Sequence, residues 1–199
     1  MDNYRKAREM VRQLAPWMKI MDALSDISFA KEHLTDLPIP MIREAVDFVN
    51  EGITCWTYYC CAPTGKYLNR FLDTPLAKIR MNGWLLYRWN LEGFLHWGYN
   101  WWYDRDKPRQ LVDPFLNVGI CPRMYGDNYM VYPGADGPID SIRWEVFRQS
   151  MQDYALLQTL NIDKDSSLLS ALKSFQDFPK NGKWVHNMRQ KLLFGKTRL

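Results

Sequence analysis

No apolar run in the sequence reaches the ~18 residues needed to cross a bilayer. Nor does an apolar leader follow Met1, which runs straight into a charged, amphipathic stretch. As given, the chain is therefore expected to be cytoplasmic and to have no membrane partner, while a longer parent could be exported. Low-complexity tracts are absent, and with 47% apolar and 24% charged residues a packed core is expected rather than disorder. Charge of one sign is also lacking, since 26 Lys and Arg face 22 Asp and Glu. That mild balance argues against nucleic acid, whose binders concentrate basic residues on one face. The basic residues near the C-terminus (Lys180, Lys183, Arg189, Lys191, Lys196 and Arg198) read as a solvated helix face, with a phosphate-binding patch as the alternative.

Cysteine is scarce. Cys55, Cys60, Cys61 and Cys121 form no CxxC pair and no metal spacing, so neither a disulfide framework nor a metal centre is expected. Buried free thiols are the expectation, with chelation or oxidation at Cys60-Cys61 as the alternative.

What the sequence does have is aromatic residues. They make up 15% of the chain, including nine Trp, and many cluster between Trp84 and Tyr103. Such rings either fill a core or offer flat apolar faces on which sugars stack.

Tyr4, Ala7, Val11 and Leu14 repeat at helical spacing and predict a helix over residues 3–15, ended by Pro16. A short strand, Met18 to Asp22, closes on a carboxylate. After a loop, residues 41–50 read as a helix, with Gly52 where a C-cap glycine belongs. Residues 53–61 are the clearest strand, nearly continuous in β-branched and aromatic residues, as in a parallel strand buried on both faces. Thr74-Pro75 opens a helix that runs to about Trp89. Residues 93–99 form the next strand, followed by a loop of ~28 residues holding Pro108, Pro114, Pro122, Asp104, Asp106 and Asp113, a length that usually signals function. Residues 129–132 predict a fourth strand, stopped by Pro133-Gly134. Asp140 or Ser141 can cap a helix to about Leu160, with Trp144, Phe147, Met151, Tyr154 and Leu157 as its apolar stripe. Two shorter helices follow around Pro179-Asn181-Gly182.

Strands alternating with helices predict an α/β fold with a parallel sheet. Four such units make half of an eight-stranded (β/α)8 barrel, which takes ~250 residues when complete. An open four-stranded parallel sheet is the competing architecture.

Several stretches then fit one pattern in order: Trp56-Thr57-Tyr58-Tyr59-Cys60-Cys61-Ala62-Pro63; Asn69; Asp73-Thr74-Pro75-Leu76; Arg80; residues 93–102 from Gly93 through His96-Trp97-Gly98-Tyr99-Asn100-Trp101-Trp102; Tyr132-Pro133-Gly134; and Ser141 to Glu145 with Arg148 and Asp153-Tyr154. Over roughly residues 5–160 this resembles the C-terminal part of the catalytic domain of glycoside hydrolase family 123, also catalogued as domain-of-unknown-function family 4091.

The resemblance implies the C-terminal half of a TIM barrel over residues 1–160, with 161–199 as a helical extension. It also implies action on β-linked N-acetylgalactosamine by substrate-assisted retaining hydrolysis. There an adjacent Asp-Glu pair supplies the acid and orients the acetamido group, whose oxygen attacks the anomeric carbon. This differs from the usual schemes of two carboxylates flanking the bond. No Asp-Glu dipeptide occurs in these 199 residues. The pair is expected upstream, so the chain reads as a fragment or split gene, inactive alone, with no catalytic residue of its own, no cofactor and no metal.

Side chains at the C-terminal ends of barrel strands face the substrate. The substrate-binding candidates are accordingly Asp22, Trp56, Tyr58, Trp97, Tyr99, Asn100, Trp101 and Trp102. Strand alternation turns neighbours to opposite faces, so they cannot all serve. His96 reads as a hydrogen-bonded interior histidine, and Arg80 and Arg143 as loop holders through salt bridges. The alternative function is a non-catalytic carbohydrate-binding or assembly module. A half barrel exposes strand edges and apolar faces, so pairing with the missing N-terminal half or self-association is expected.

Overall fold

In the computed structural model, which describes residues 1–119 and 124–195, the extended segments are much shorter than the apolar runs that predict them. Cys121, Pro122, Lys196 and Arg198 lie outside the described residues. The chain divides into two units: Met1–Tyr59 with Trp89–Leu95, and the residues from Cys60 to Arg88 and from His96 onward.

The first unit opens with α1 (Asp2–Leu14), which stops at Ala15 ahead of Pro16. Arg5 pairs with Glu32 and Arg12 with Asp36. Tyr4 sets its ring edge on Phe29, yet no α1 residue is buried, and Leu14 is 74% exposed.

β1 (Met21–Asp22) then pairs in parallel with β2 (Leu37–Pro38), in a stretch expected to be a loop. Prolines hide this strand from a propensity reading because they cannot donate to a ladder. Here they have no need to. Leu37 and Ile39 donate to Ile20 O and Asp22 O at 3.2 and 2.9 Å, while Pro38 and Pro40 only accept, from Trp56 N and Tyr58 N at 3.2 and 3.1 Å.

α2 (Ser28–Lys31) is a single turn between β1 and β2. α3 (Ala45–Asn50) is shorter than the predicted 41–50 because Met41 and Ile42 are taken up by sheet pairing with Tyr58. Gly52 follows α3 at φ +67°, as a helix C-terminus favours.

The predicted strand 53–61 forms a ladder only at β3 (Thr57–Tyr58), which pairs in parallel with β4 (Phe94–Leu95). Leu37, Ile39, Ile42, Ala45, Phe48, Cys55, Tyr59 and Leu91 are buried around these segments. Mixed helices and short parallel pairings make the chain α/β, as expected.

In the second unit the expected single helix over 74–89 is two, α4 (Leu76–Arg80) and α5 (Asn82–Arg88), both packed on α6 (Ile142–Thr159). Ser141 caps α6 by accepting from Trp144 N at 3.2 Å. Asp153, fully buried on α6, takes a bidentate Arg80 at 2.6 and 3.0 Å, the Trp84 indole N–H at 3.0 Å, and Arg189. Arg80 therefore ties helix to helix rather than holding a loop.

The first of the two C-terminal helices is only a 3-10 turn, Ser167–Leu169. The second is α7 (Gly182–Phe194), capped by Asn181.

The fourth predicted parallel strand is corrected as well. β5 (Val131–Pro133) pairs antiparallel with β6 (Pro138–Asp140). Pro133-Gly134 starts a hairpin rather than a stop, closed by Gly134 N donating to Gly137 O at 2.9 Å with Gly137 at φ +150°, a conformation open to glycine.

Candidate functional site

Directly after β4 come residues 96–103, bent at Trp97 and Tyr99 and bridged at Asn100 and Tyr103, with aromatic residues at alternate positions. Trp97, Tyr99, Trp101 and Tyr103 are each 37–43% exposed, high for rings of this size. Trp97 and Trp101 lie 6.0 Å apart by ring centroids, and Trp101 and Tyr103 5.3 Å, so three rings run in contact along the segment. Tyr99 leans edge-on against Trp144 of α6 at 5.1 Å. Trp102, at an even position, donates its indole N–H to Val131 O at 3.1 Å.

Trp97, Tyr99, Asn100, Trp101 and Trp102 nevertheless line one open cavity of about 410 Å³, completed by Tyr103 and Leu111. Leu111 arrives there because the long loop doubles back and bridges Tyr103. Neither Tyr103 nor Leu111 is among the substrate-binding candidates drawn from the sequence.

Those candidates also miss the residues that hold the strip in place. Asp127 is only 3% exposed. One of its oxygens accepts from Trp97 Nε1 at 2.9 Å, and the other lies 3.3 Å from His96 Nε2. His96 Nδ1 sits 3.0 Å from Gly98 O and 3.2 Å from Gly98 N. Burial lowers the His96 pKa below the ordinary histidine value, against the upward pull of Asp127.

Asn128 donates to Trp101 O at 2.7 Å and accepts from Trp101 N at 2.9 Å. Its main chain presses so close to Gly98 that a β-carbon there would come within 2.8 Å of Asn128 Cα. Arg143, 2% exposed in the first turn of α6, donates to Arg70 O, Gly126 O and Tyr129 O at 2.6, 2.8 and 2.9 Å. It does hold a loop, but through carbonyls rather than the expected salt bridge. Gly-Asp-Asn reads as an ordinary turn in sequence, and nothing local marks its carboxylate as a partner of residues 30 positions away.

The family model for the glycoside hydrolase 123 catalytic domain matches residues 1–160. The chain belongs to glycoside hydrolase family 123. A solved structure of a family 123 glycoside hydrolase from Clostridium perfringens, described in terms of glycolipid glycan hydrolysis, superposes with a TM-score of 0.63 at 17% sequence identity. That superposition covers 100% of this chain and 41% of the other, so the chain spans about two fifths of that protein. No curated protein matches.

Three site candidates of this family 123 chain lie in its first unit. Asp22 ends β1, is exposed, and accepts from Ala23 N at 2.9 Å. Trp56 is half-buried, and its ring lies against Gly93, where a β-carbon would overlap it. Tyr58 in β3 is half-buried.

Asp104 and Asp113 fold their own turns, accepting from Asp106 N and Phe115 N at 2.8 Å each. Cys55 is buried, with its thiol pushed up to about 12 by burial. Cys60 is half-buried and raised to about 11 by the same cause, whereas Cys61 is exposed, contrary to the expectation of buried thiols throughout. Among the described residues no group of three or more His, Cys, Asp or Glu could hold a metal, and no helix is long and apolar enough to cross a membrane.

Proposed function

We propose that this chain supplies the sugar-holding face of a retaining hydrolase acting on β-linked N-acetylhexosamine, with the Asp-Glu acid pair contributed from outside these residues. The observation that carries the reading is the single cavity lined by Trp97, Tyr99, Asn100, Trp101 and Trp102. The rings offer flat apolar faces to a pyranose, and the Asn100 amide can both donate to and accept from sugar hydroxyls. Asp22, Trp56 and Tyr58, in the first unit, are proposed as further saccharide-binding residues. Membership of a glycoside hydrolase family supports a carbohydrate substrate.

The architecture we propose is the C-terminal half of a TIM barrel over residues 1–160, with 161–199 as an extension. It is supported by the parallel pairs β1–β2 and β3–β4 and by the isolated parallel bridge between Met41 and Tyr58. Purified chain should cleave no aryl N-acetyl-β-galactosaminide, and turnover by contaminant-free protein would overturn that expectation. In solution the chain should self-associate or capture the complementary half. A monodisperse monomer melting in one cooperative step would count against the half barrel.

The absence of an Asp-Glu pair favours a second reading, a binding module without chemistry. Adding the complementary barrel half separates the two, because only the hydrolase reading gains turnover.

A further inference from the structure

The sugar-platform reading leaves Asp127 unexplained. A carboxylate 3% exposed is costly to bury unless its partners need it, and its two oxygens are spent on adjacent residues of one strip, Trp97 and His96. Trp97 is an exposed residue whose only fixed polar point is its indole N–H, pulled inward at 2.9 Å. A tryptophan side chain turns about two bonds, and tying the N–H at the ring's edge sets both. From Trp97 the contact passes to Trp101 at 6.0 Å and on to Tyr103 at 5.3 Å, so the carboxylate sets the first ring of a row of three. Its own place is set in turn: Arg143 grips the carbonyls of Gly126 and Tyr129 on either side of it.

We infer that Asp127 is a positioning residue of the saccharide site, locking the Trp97 ring so that the Trp97–Trp101–Tyr103 row presents one preformed face to a pyranose. Preorganised rings lose less freedom on binding, which is where the affinity comes from. The inference rests on the proposed carbohydrate function, but its structural half can be read without any ligand.

The test is a double-mutant cycle in the full 199-residue chain, with Asp127→Asn and Trp97→Phe made singly and together. Methyl N-acetyl-β-galactosaminide is titrated, and the indole N–H resonances are followed by NMR. In wild type the Trp97 indole proton should sit downfield and exchange slowly with solvent. Asp127→Asn should shift it upfield and speed its exchange. Each single change should weaken saccharide binding by about fivefold, and the double variant should be no weaker than either one, since both remove the same tie.

Additive losses, or an indole signal indifferent to Asp127→Asn, would overturn the positioning role. If wild type binds no saccharide while the indole signature holds, the carbohydrate reading fails and the tie between Asp127 and Trp97 stands. Should Asp127→Asn not fold, Trp97→Phe still decides: it deletes the N–H together with the five-membered ring that carries it, so unchanged affinity there refutes the inference.

Discussion

Gly83 on α5 and Ser150 on α6 meet main chain to main chain: a β-carbon on Gly83 would lie 2.7 Å from the Ser150 carbonyl carbon and closer still to its oxygen. Alanine in place of glycine normally favours a helix by about 1 kcal/mol. Here the obstacle is backbone, which cannot swing aside as a side chain can, and overpacking of that kind costs roughly 1–3 kcal/mol or more. Gly83→Ala should therefore lower stability in a urea melt, and a more stable variant would show that α5 and α6 can slide apart freely.

The Trp101 side chain is 41% exposed and touches Trp97 and Tyr103. Trp101→Ala should weaken saccharide binding roughly tenfold, about 1.4 kcal/mol, while the melting temperature barely moves. Tyr99→Ala should lose stability as well, because Tyr99 braces Trp144. A Trp101→Ala chain that binds as wild type would remove this ring from the site.

Arg143 satisfies three carbonyls with one planar fork, a geometry that a lysine ammonium cannot copy. Arg143→Lys should cost about 2–3 kcal/mol, the value of one or two charge-assisted hydrogen bonds in a buried setting. The loss should appear in the melt and as faster amide exchange across residues 126–129. Unaltered exchange there would mean that the loop is held by something else.

His96 gives the chain a pH-dependence of definite sign. Burial places its folded pKa below the ordinary value of 6.5, opposed by Asp127 and assisted by Arg70, the charged groups that act on it. As pH falls, the unfolded chain takes the proton first. The contribution is therefore complete above the ordinary value and is lost as pH falls through the folded one. Melting temperatures measured from pH 8 down to about 5 should decline, and His96→Gln should flatten that decline. Parallel profiles for the two proteins would exclude His96 as its source.

What could be read from the sequence follows from how locally each feature is encoded. The caps at Ser141 and Asn181 sit next to the helices they start, and both helices stand where the pattern put them. The cluster of rings was legible from composition alone, and the most exposed of them are the odd-numbered ones. β2 was illegible because Pro38 and Pro40 remove the donors by which a strand is recognised, although neither donor is used. β5 was placed, but not its direction, since nothing in residues 129–132 says which neighbour they will pair with. Asp127 was missed for the same reason: its significance lies wholly in partners 30 and 31 residues away.

Arg143 makes the first turn of α6 and the residues beneath the rings a single mechanical piece. One and two turns further along α6, Phe147 and Ser150 are buried, and Gly83 rests against Ser150. A methyl group added at Gly83 would press on the same helix that carries Arg143, the donor to three carbonyls.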